Sequence, residues 1–133
     1  MRARVAAPIL IVEDYSETSQ ALQRILSVRG YASVVARHGQ EALEYLRAGN
    51  LVSLVILDLY MPVMDGWEFS RALQVDPRLA GTPLVAFSAG AVSEVPGALA
   101  FIRKTVDPDV LLDLVGHMVG RSTVGGRTPP TVN

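Results

Sequence analysis

Three four-residue apolar runs in this chain are each closed by an acid or a hydroxyl: Ile9-Leu10-Ile11-Val12 by Glu13, Leu54-Val55-Ile56-Leu57 by Asp58 and Leu84-Val85-Ala86-Phe87 by Ser88. A strand with one wet face alternates apolar and polar residues; a run without alternation reads as a strand buried on both faces. Two weaker runs, Tyr31 to Ala36 around Val34-Val35 and Phe101-Ile102-Arg103, have the same character. Between them lie stretches of helical period. Leu22, Ile25, Leu26 and Arg29 are spaced as one helix face, with Gly30 placed as a C-terminal stop. Ala42, Leu43 and Leu46 mark a second helix ending at Gly49-Asn50, and Trp67 to Val75 a third ending at Asp76-Pro77. Asp65 and Glu68 are spaced as an N-cap with its reciprocal acid. Asp107-Pro108 opens a last helix whose face is Leu111, Leu114, Val115 and Met118. Strands buried on both faces and alternating with helices imply an α/β fold, a parallel sheet covered on both sides.

Length and composition fit one such domain. The 133 residues are 50% hydrophobic, enough for a core without disulfides or metal, and there is no cysteine. Disulfide scaffolds, thiolate zinc sites and cysteine nucleophiles are thereby excluded. Twelve basic against thirteen acidic residues give a net charge of −1, so there is no basic excess for direct nucleic acid binding. No apolar stretch nears the ~20 residues of a membrane span, and the start of the chain lacks the apolar core of a signal peptide, so membrane insertion is not expected. The expected location is cytoplasmic. The expected organisation is an N-terminal extension over 1–7, one domain over 8–120, and a flexible tail over 121–133. The 13 tail residues cannot form an output domain, so the chain is either stand-alone or cut from a longer protein.

Three carboxylates stand at strand ends: Glu13 and Asp14 after the first strand, Asp58 at the end of the third. In open α/β sheets the ligand site lies outside the carboxyl ends of the strands, at the switch point. With strand order 2-1-3-4-5 the first and third strands are neighbours and the three acids meet. Such a cluster is costly without a positive partner. A hard divalent ion suits an all-oxygen set, and Mg2+ takes one or two carboxylates while keeping waters. Ser88 ends the fourth strand and Lys104 follows the fifth, which brings a hydroxyl and an ammonium to the same rim. Together these groups form a phosphoryl-transfer set. Each also has a plainer reading alone: Glu13-Asp14 as a helix-entry pair, Asp58 as a turn residue, Ser88 as a loop hydroxyl, Lys104 as a surface charge, Phe101 as core. His38 and His117 read as surface residues, Asp65-Gly66 as a structural turn, and Trp67 as half-buried packing or a partner contact.

The segments Ile9 to Asp14, Leu57-Asp58-Leu59-Tyr60-Met61-Pro62-Val63-Met64-Asp65-Gly66, Phe87-Ser88-Ala89 and Gly97 to Lys104 resemble, in family order across roughly residues 8–120, the receiver domains of two-component response regulators. The resemblance implies a flavodoxin-like (CheY-like) doubly wound five-stranded parallel sheet of order 2-1-3-4-5. It implies Asp58 as phospho-acceptor. Mg2+, with Mn2+ as the alternative ion, would sit on Glu13, Asp14, Asp58 and the Tyr60 backbone carbonyl. Ser88 and Lys104 would bind the phosphoryl group, and Phe101 would be the switch aromatic. The donor would be a sensor histidine kinase or a histidine phosphotransfer protein, and an unidentified protein target would read the result. The chain would be a signalling phospho-acceptor, not an enzyme acting on other molecules.

Two departures from the family, two variable positions and two alternatives accompany this reading. Thr105 follows Lys104 where the family usually has proline; a cis bond before a non-proline costs roughly 2.5–4 kcal/mol, so the Lys104–Thr105 bond is expected to be trans. The stretch Ala89 to Pro96 is short, so the fourth helix is expected to be stunted or missing, and dimerisation through the usual version of that face is not expected. Tyr60 and Gly90 occupy the family's rate-tuning positions; a bulky Tyr60 screening the site predicts slow autodephosphorylation. The alternatives are a degenerate receiver acting as an unphosphorylated scaffold and an aspartyl-phosphate phosphohydrolase. The second commonly needs an acid two residues after the nucleophile, where this chain has Tyr60.

Overall fold

A computed structural model describes residues 7–61, 63–90 and 95–124, with side chains in the last helix as far as Val119. The elements run β1 (Ile9–Val12), α1 (Ser16–Ser27), β2 (Ser33–Ala36), α2 (Gly39–Arg47), β3 (Leu54–Asp58), α3 (Gly66–Val75), β4 (Leu84–Ser88), β5 (Ala100–Arg103) and α4 (Pro108–Val124). The strands pair in parallel in the order β2-β1-β3-β4-β5. The three all-apolar runs are the three central strands, and every residue of β1, β3 and β4 is buried.

Side chains alternate across the sheet and split the core into two layers. Leu10, Val12, Val55, Leu57, Leu84 and Ala86 pack under α2 and α3 with Leu43, Leu46, Phe69 and Leu73. Ile9, Ile11, Leu54, Ile56, Val85 and Phe87 pack under α1 and α4 with Leu22, Leu26, Leu111 and Val115. The expected helix faces are therefore the buried ones. Gly30 and Gly49 both take positive φ, +81° and +97°, which explains why α1 and α2 stop there. Asp65 and Glu68 form the reciprocal capping box of α3, with Asp65 Oδ1 accepting from Glu68 N at 2.9 Å and Glu68 Oε1 accepting from Asp65 N at 3.0 Å. At the start of α4 the Asp107 carboxylate accepts from Asp109 N at 2.8 Å.

Several expectations change. The last helix continues through Arg121 to Val124, into the stretch read as tail. No glycine or proline interrupts Arg121-Ser122-Thr123-Val124, and the first breaker is Gly125-Gly126. Residues 125–133 and 1–6 lie outside the described residues. His38 is not a bystander: it is the N-cap of α2, and its Nδ1 accepts from Glu41 N at 3.3 Å. Phe101 is not core, being 47% exposed on the edge strand β5. The Lys104–Thr105 bond is trans, as the missing proline requires.

Between β4 and β5, residues 89–90 and 95–99 are not helical, and 91–94, where the stunted turn was expected, lie outside the described residues. The far end of this connection is held by α3. Val95 is buried in the α2/α3 layer, and the buried Ser70 hydroxyl donates to the Pro96 carbonyl.

Candidate functional site: an acidic cluster at the strand ends

Register carries the expected residues to one place. Val12 is opposite Leu57, so Glu13 and Asp14 leave β1 beside Asp58 at the end of β3. Asp58 is opposite Phe87, which places Ser88 one step further on β4, and Ser88 is opposite Arg103, the residue before Lys104. The chain is anchored there by Glu13 N donating to Ala36 O at 3.0 Å and Lys104 N donating to Ser88 O at 3.0 Å.

Glu13, Asp14 and Asp58 each offer a carboxylate oxygen within 4.8 Å of the others. Glu13 and Asp58 are buried, 2% and 4% exposed, whereas Asp14 faces solvent. Lys104 Nζ stands 2.9 Å from Glu13 Oε1 and 3.4 Å from Asp58 Oδ1, and 5.8 Å from the centre of the Phe87 ring. Asp58 Oδ1 also accepts from Tyr60 N at 3.4 Å, and Glu13 Oε2 from Tyr15 N at 3.2 Å. Burial, and then the Glu13 charge, push the Asp58 carboxyl up from 3.8 to about 6, against the pull of Lys104 and the Tyr60 amide. Burial works against the charge on Lys104, but the Glu13 and Asp58 carboxylates outweigh it and hold the ammonium above its ordinary value.

The cluster fits a divalent cation. Three carboxylates face one ammonium. Glu13 Oε2 accepts from Tyr15 N, while the buried Oε1 has no polar group close to it but the Lys104 ammonium at 2.9 Å among the described residues. A buried oxygen left in this way, in an all-oxygen set with one edge open to water at Asp14, is suited to a hard ion that keeps part of its hydration.

Ser88 is fully buried, and its Oγ accepts from Gly90 N at 3.2 Å, which leaves its proton to donate. Tyr60 is 57% exposed on the loop after β3, and its ring meets Trp67 edge to face, centroids 5.3 Å apart. A Cβ built on Gly90 would touch Tyr60 Cε2 at 4.0 Å, so the two positions expected to tune rates are in contact range. Phe101 lies on β5 beside Ala86, its side chain directed to the α2/α3 face of the sheet. One signal in the sequence was left unused: all the other basic residues are arginines, and Lys104 is the single lysine of the chain.

Comparison with known proteins gives a family and a fold. Residues 9–116 match the family described as the response regulator receiver domain. Response regulator Rre1 of Synechocystis is 32% identical over 126 residues, covering 88% of this chain and 54% of the relative. Chemotaxis protein CheY1 of Helicobacter pylori is 31% identical over 119 residues, covering 84% of this chain and 96% of the relative. The chain thus spans only 54–59% of the length of several curated regulators it matches, and nearly all of a chemotaxis protein. A CheY-like receiver domain from Methanospirillum hungatei superposes with a TM-score of 0.79 at 26% identity, over 92% of this chain and 100% of the other. No helix among the described residues is long and apolar enough to cross a membrane. With its sheet order, its acidic cluster and this match over most of its length, the chain belongs to the response regulator receiver domain family.

Proposed function

We propose that the chain is a working phospho-acceptor of two-component signalling, taking a phosphoryl group on Asp58 from a phosphohistidine donor and switching a protein partner. The observation that carries this is the buried Asp58 carboxylate set between two further carboxylates and the Lys104 ammonium 3.4 Å away. An Asp58 oxygen attacks phosphorus, the P–N bond to the donor imidazole breaks, and an acyl phosphate forms. Lys104 pairs with the added charge and the Ser88 hydroxyl, whose proton is free, donates to a phosphoryl oxygen. Glu13, Asp14, Asp58 and the Tyr60 carbonyl would hold Mg2+, which supplies charge neutralisation on the transferring oxygens. Contacts to Ser88 and Lys104 then favour one of two conformers, the population shift that a partner reads.

Intact mass after incubation with Mg2+ and acetyl phosphate tests this. The expected result is a gain of one phosphoryl group in the wild-type chain and none in Asp58→Asn. No gain with acetyl phosphate or with a phosphorylated histidine phosphotransfer protein favours the scaffold alternative. Turnover of a small phosphomonoester favours the phosphohydrolase.

The lifetime of the acyl phosphate is the next expectation. Tyr60 crowds the loop beside Asp58, and Gly90 brings no side chain to orient water. Tyr60→Asn is expected to shorten the lifetime, by less than the roughly hundredfold that a positioned general base supplies, since asparagine uncovers the site and can orient a water but cannot take its proton. Timing phosphoryl loss by mass after removal of the donor checks it, and an unchanged decay counts against screening.

A further inference from the structure

We infer that Trp67 is a positioning residue for dephosphorylation: it holds the Tyr60 ring across the space between the ends of β3 and β4 and so sets how readily water reaches the acyl phosphate. The inference rests on the phospho-acceptor reading of Asp58.

The argument begins with where Trp67 is fixed. It is the second residue of α3, and the start of α3 is tied to the strand that carries Asp58. Gly66 N donates to Leu59 O at 3.0 Å, and the Asp65–Glu68 capping box locks the first turn. Trp67 itself is half-buried and packs against the α2/α3 layer of the core. Its position relative to Asp58 is therefore set by backbone and core contacts, not by a loop. Tyr60 is different: it is 57% exposed on the turn after β3, and an exposed side chain of this kind samples several rotamers.

Trp67 narrows that choice. The two rings meet edge to face, 5.3 Å between centroids and 71° between planes, an arrangement aromatic quadrupoles favour. On its other side the Tyr60 ring reaches Gly90, with Cε2 4.0 Å from where a Cβ would stand. The ring thus extends from the end of β3 to the end of β4. Asp58 and Ser88 are the terminal residues of those same two strands, and a phosphoryl group shared between them lies in that gap. The reaction to be controlled is hydrolysis: a water oxygen attacks phosphorus, the bond from phosphorus to the Asp58 oxygen breaks, and inorganic phosphate leaves with the carboxylate restored. The water must arrive in line with the breaking bond, and a ring pinned across the gap restricts that approach.

The pairing of the rings predicts coupling. An edge-to-face aromatic pair has an interaction strength corresponding to about a two- to twelve-fold shift in an equilibrium. In the protein phosphorylated with acetyl phosphate and Mg2+ and then freed of donor, Trp67→Leu is expected to lose phosphate about three- to tenfold faster than wild type. Leucine keeps apolar packing on the core but loses the aromatic edge. Trp67→Phe, which keeps an edge, is expected to restore most of the lifetime. In a Tyr60→Ala background, Trp67→Leu is expected to change nothing further, an outcome that general loosening of α3 would not give. Thermal unfolding of each variant by circular dichroism establishes that the chains compared are folded. A wild-type lifetime in Trp67→Leu, or the same acceleration with and without Tyr60, overturns the inference. Failure of the wild-type chain to gain phosphoryl mass at all overturns the reading of Asp58 and this inference with it, and is seen before any decay is timed.

Discussion

Asp58→Asn is expected to unfold at a higher temperature than the wild-type chain in magnesium-free buffer at pH 7.5. The reason is the cost of keeping a third charge in the cluster. Burial and the neighbouring Glu13 push the Asp58 carboxyl up to about 6, so at pH 7.5 it is ionised in a place that resists ionisation. Asparagine removes that charge at nearly the same volume. Two pKa units correspond to nearly 3 kcal/mol, the attraction to Lys104 being already contained in the shift, so a gain of roughly 1–3 kcal/mol is expected. The pH dependence fixes the sign. A carboxyl raised in the folded state adds stability that is complete below its unfolded value of 3.8 and is lost as pH rises through about 6. Wild type should therefore fall relative to Asp58→Asn across that window and run parallel above it. Added Mg2+ should close the gap above pH 6, because it binds the folded wild-type chain with its full carboxylate set. Thermal melts of both chains over pH 4–8, with and without Mg2+, measure all of this; equal melting at pH 7.5 without metal would remove the electrostatic account.

Gly66→Ala is the second large effect. Gly66 does not take positive φ; what it supplies is space. A Cβ there would stand 2.7 Å from Leu59 Cα and 2.8 Å from the Asp58 carbonyl oxygen. Both are backbone atoms of the strand end that carries the acceptor, so neither can step aside alone. Overpacking of this kind costs typically 1–3 kcal/mol and occasionally more. Relief of the clash would move α3 away from the end of β3 and disturb Asp58 with it. A lower denaturation midpoint and slower phosphorylation are expected together. Gly81→Ala is the control, since a Cβ there meets nothing within 4 Å. A Gly66→Ala chain as stable as that control would show that the close approach is easily relaxed.

Much of this was legible from residue type and spacing. The β1, β3 and β4 runs admit one environment, buried on both faces, and that alone forces helices onto both sides of a parallel sheet. The acidic residues after two of those runs then share a rim. What the sequence did not reveal depends on three-dimensional context. Phe101 is apolar and sits in a strand, but β5 is an edge, and its outer face is left half-exposed. His38 was passed over because histidine is a less usual N-cap than serine or aspartate, yet a neutral ring nitrogen accepts a backbone proton as a hydroxyl does. Polar composition suggests a tail from Arg121 onward, but polar residues continue a helix wherever no breaker intervenes, and α4 runs on to Val124. The meeting of Tyr60 with Trp67 joins a turn to the helix after it, and no periodicity expresses that.

The single lysine has a practical consequence. Lys104 is 23% exposed and sits on the acidic cluster, while every other cationic side chain in the chain is a guanidinium. Amine-directed reagents, whether succinimidyl dyes, aldehyde fixatives or coupling surfaces for binding assays, therefore have one side-chain target, and modifying it removes the cation of the site. A chain coupled through Lys104 is expected to accept phosphate poorly. Lysine labelled with nitrogen-15 at Nζ, by contrast, gives one side-chain resonance, and that resonance reports from beside Asp58.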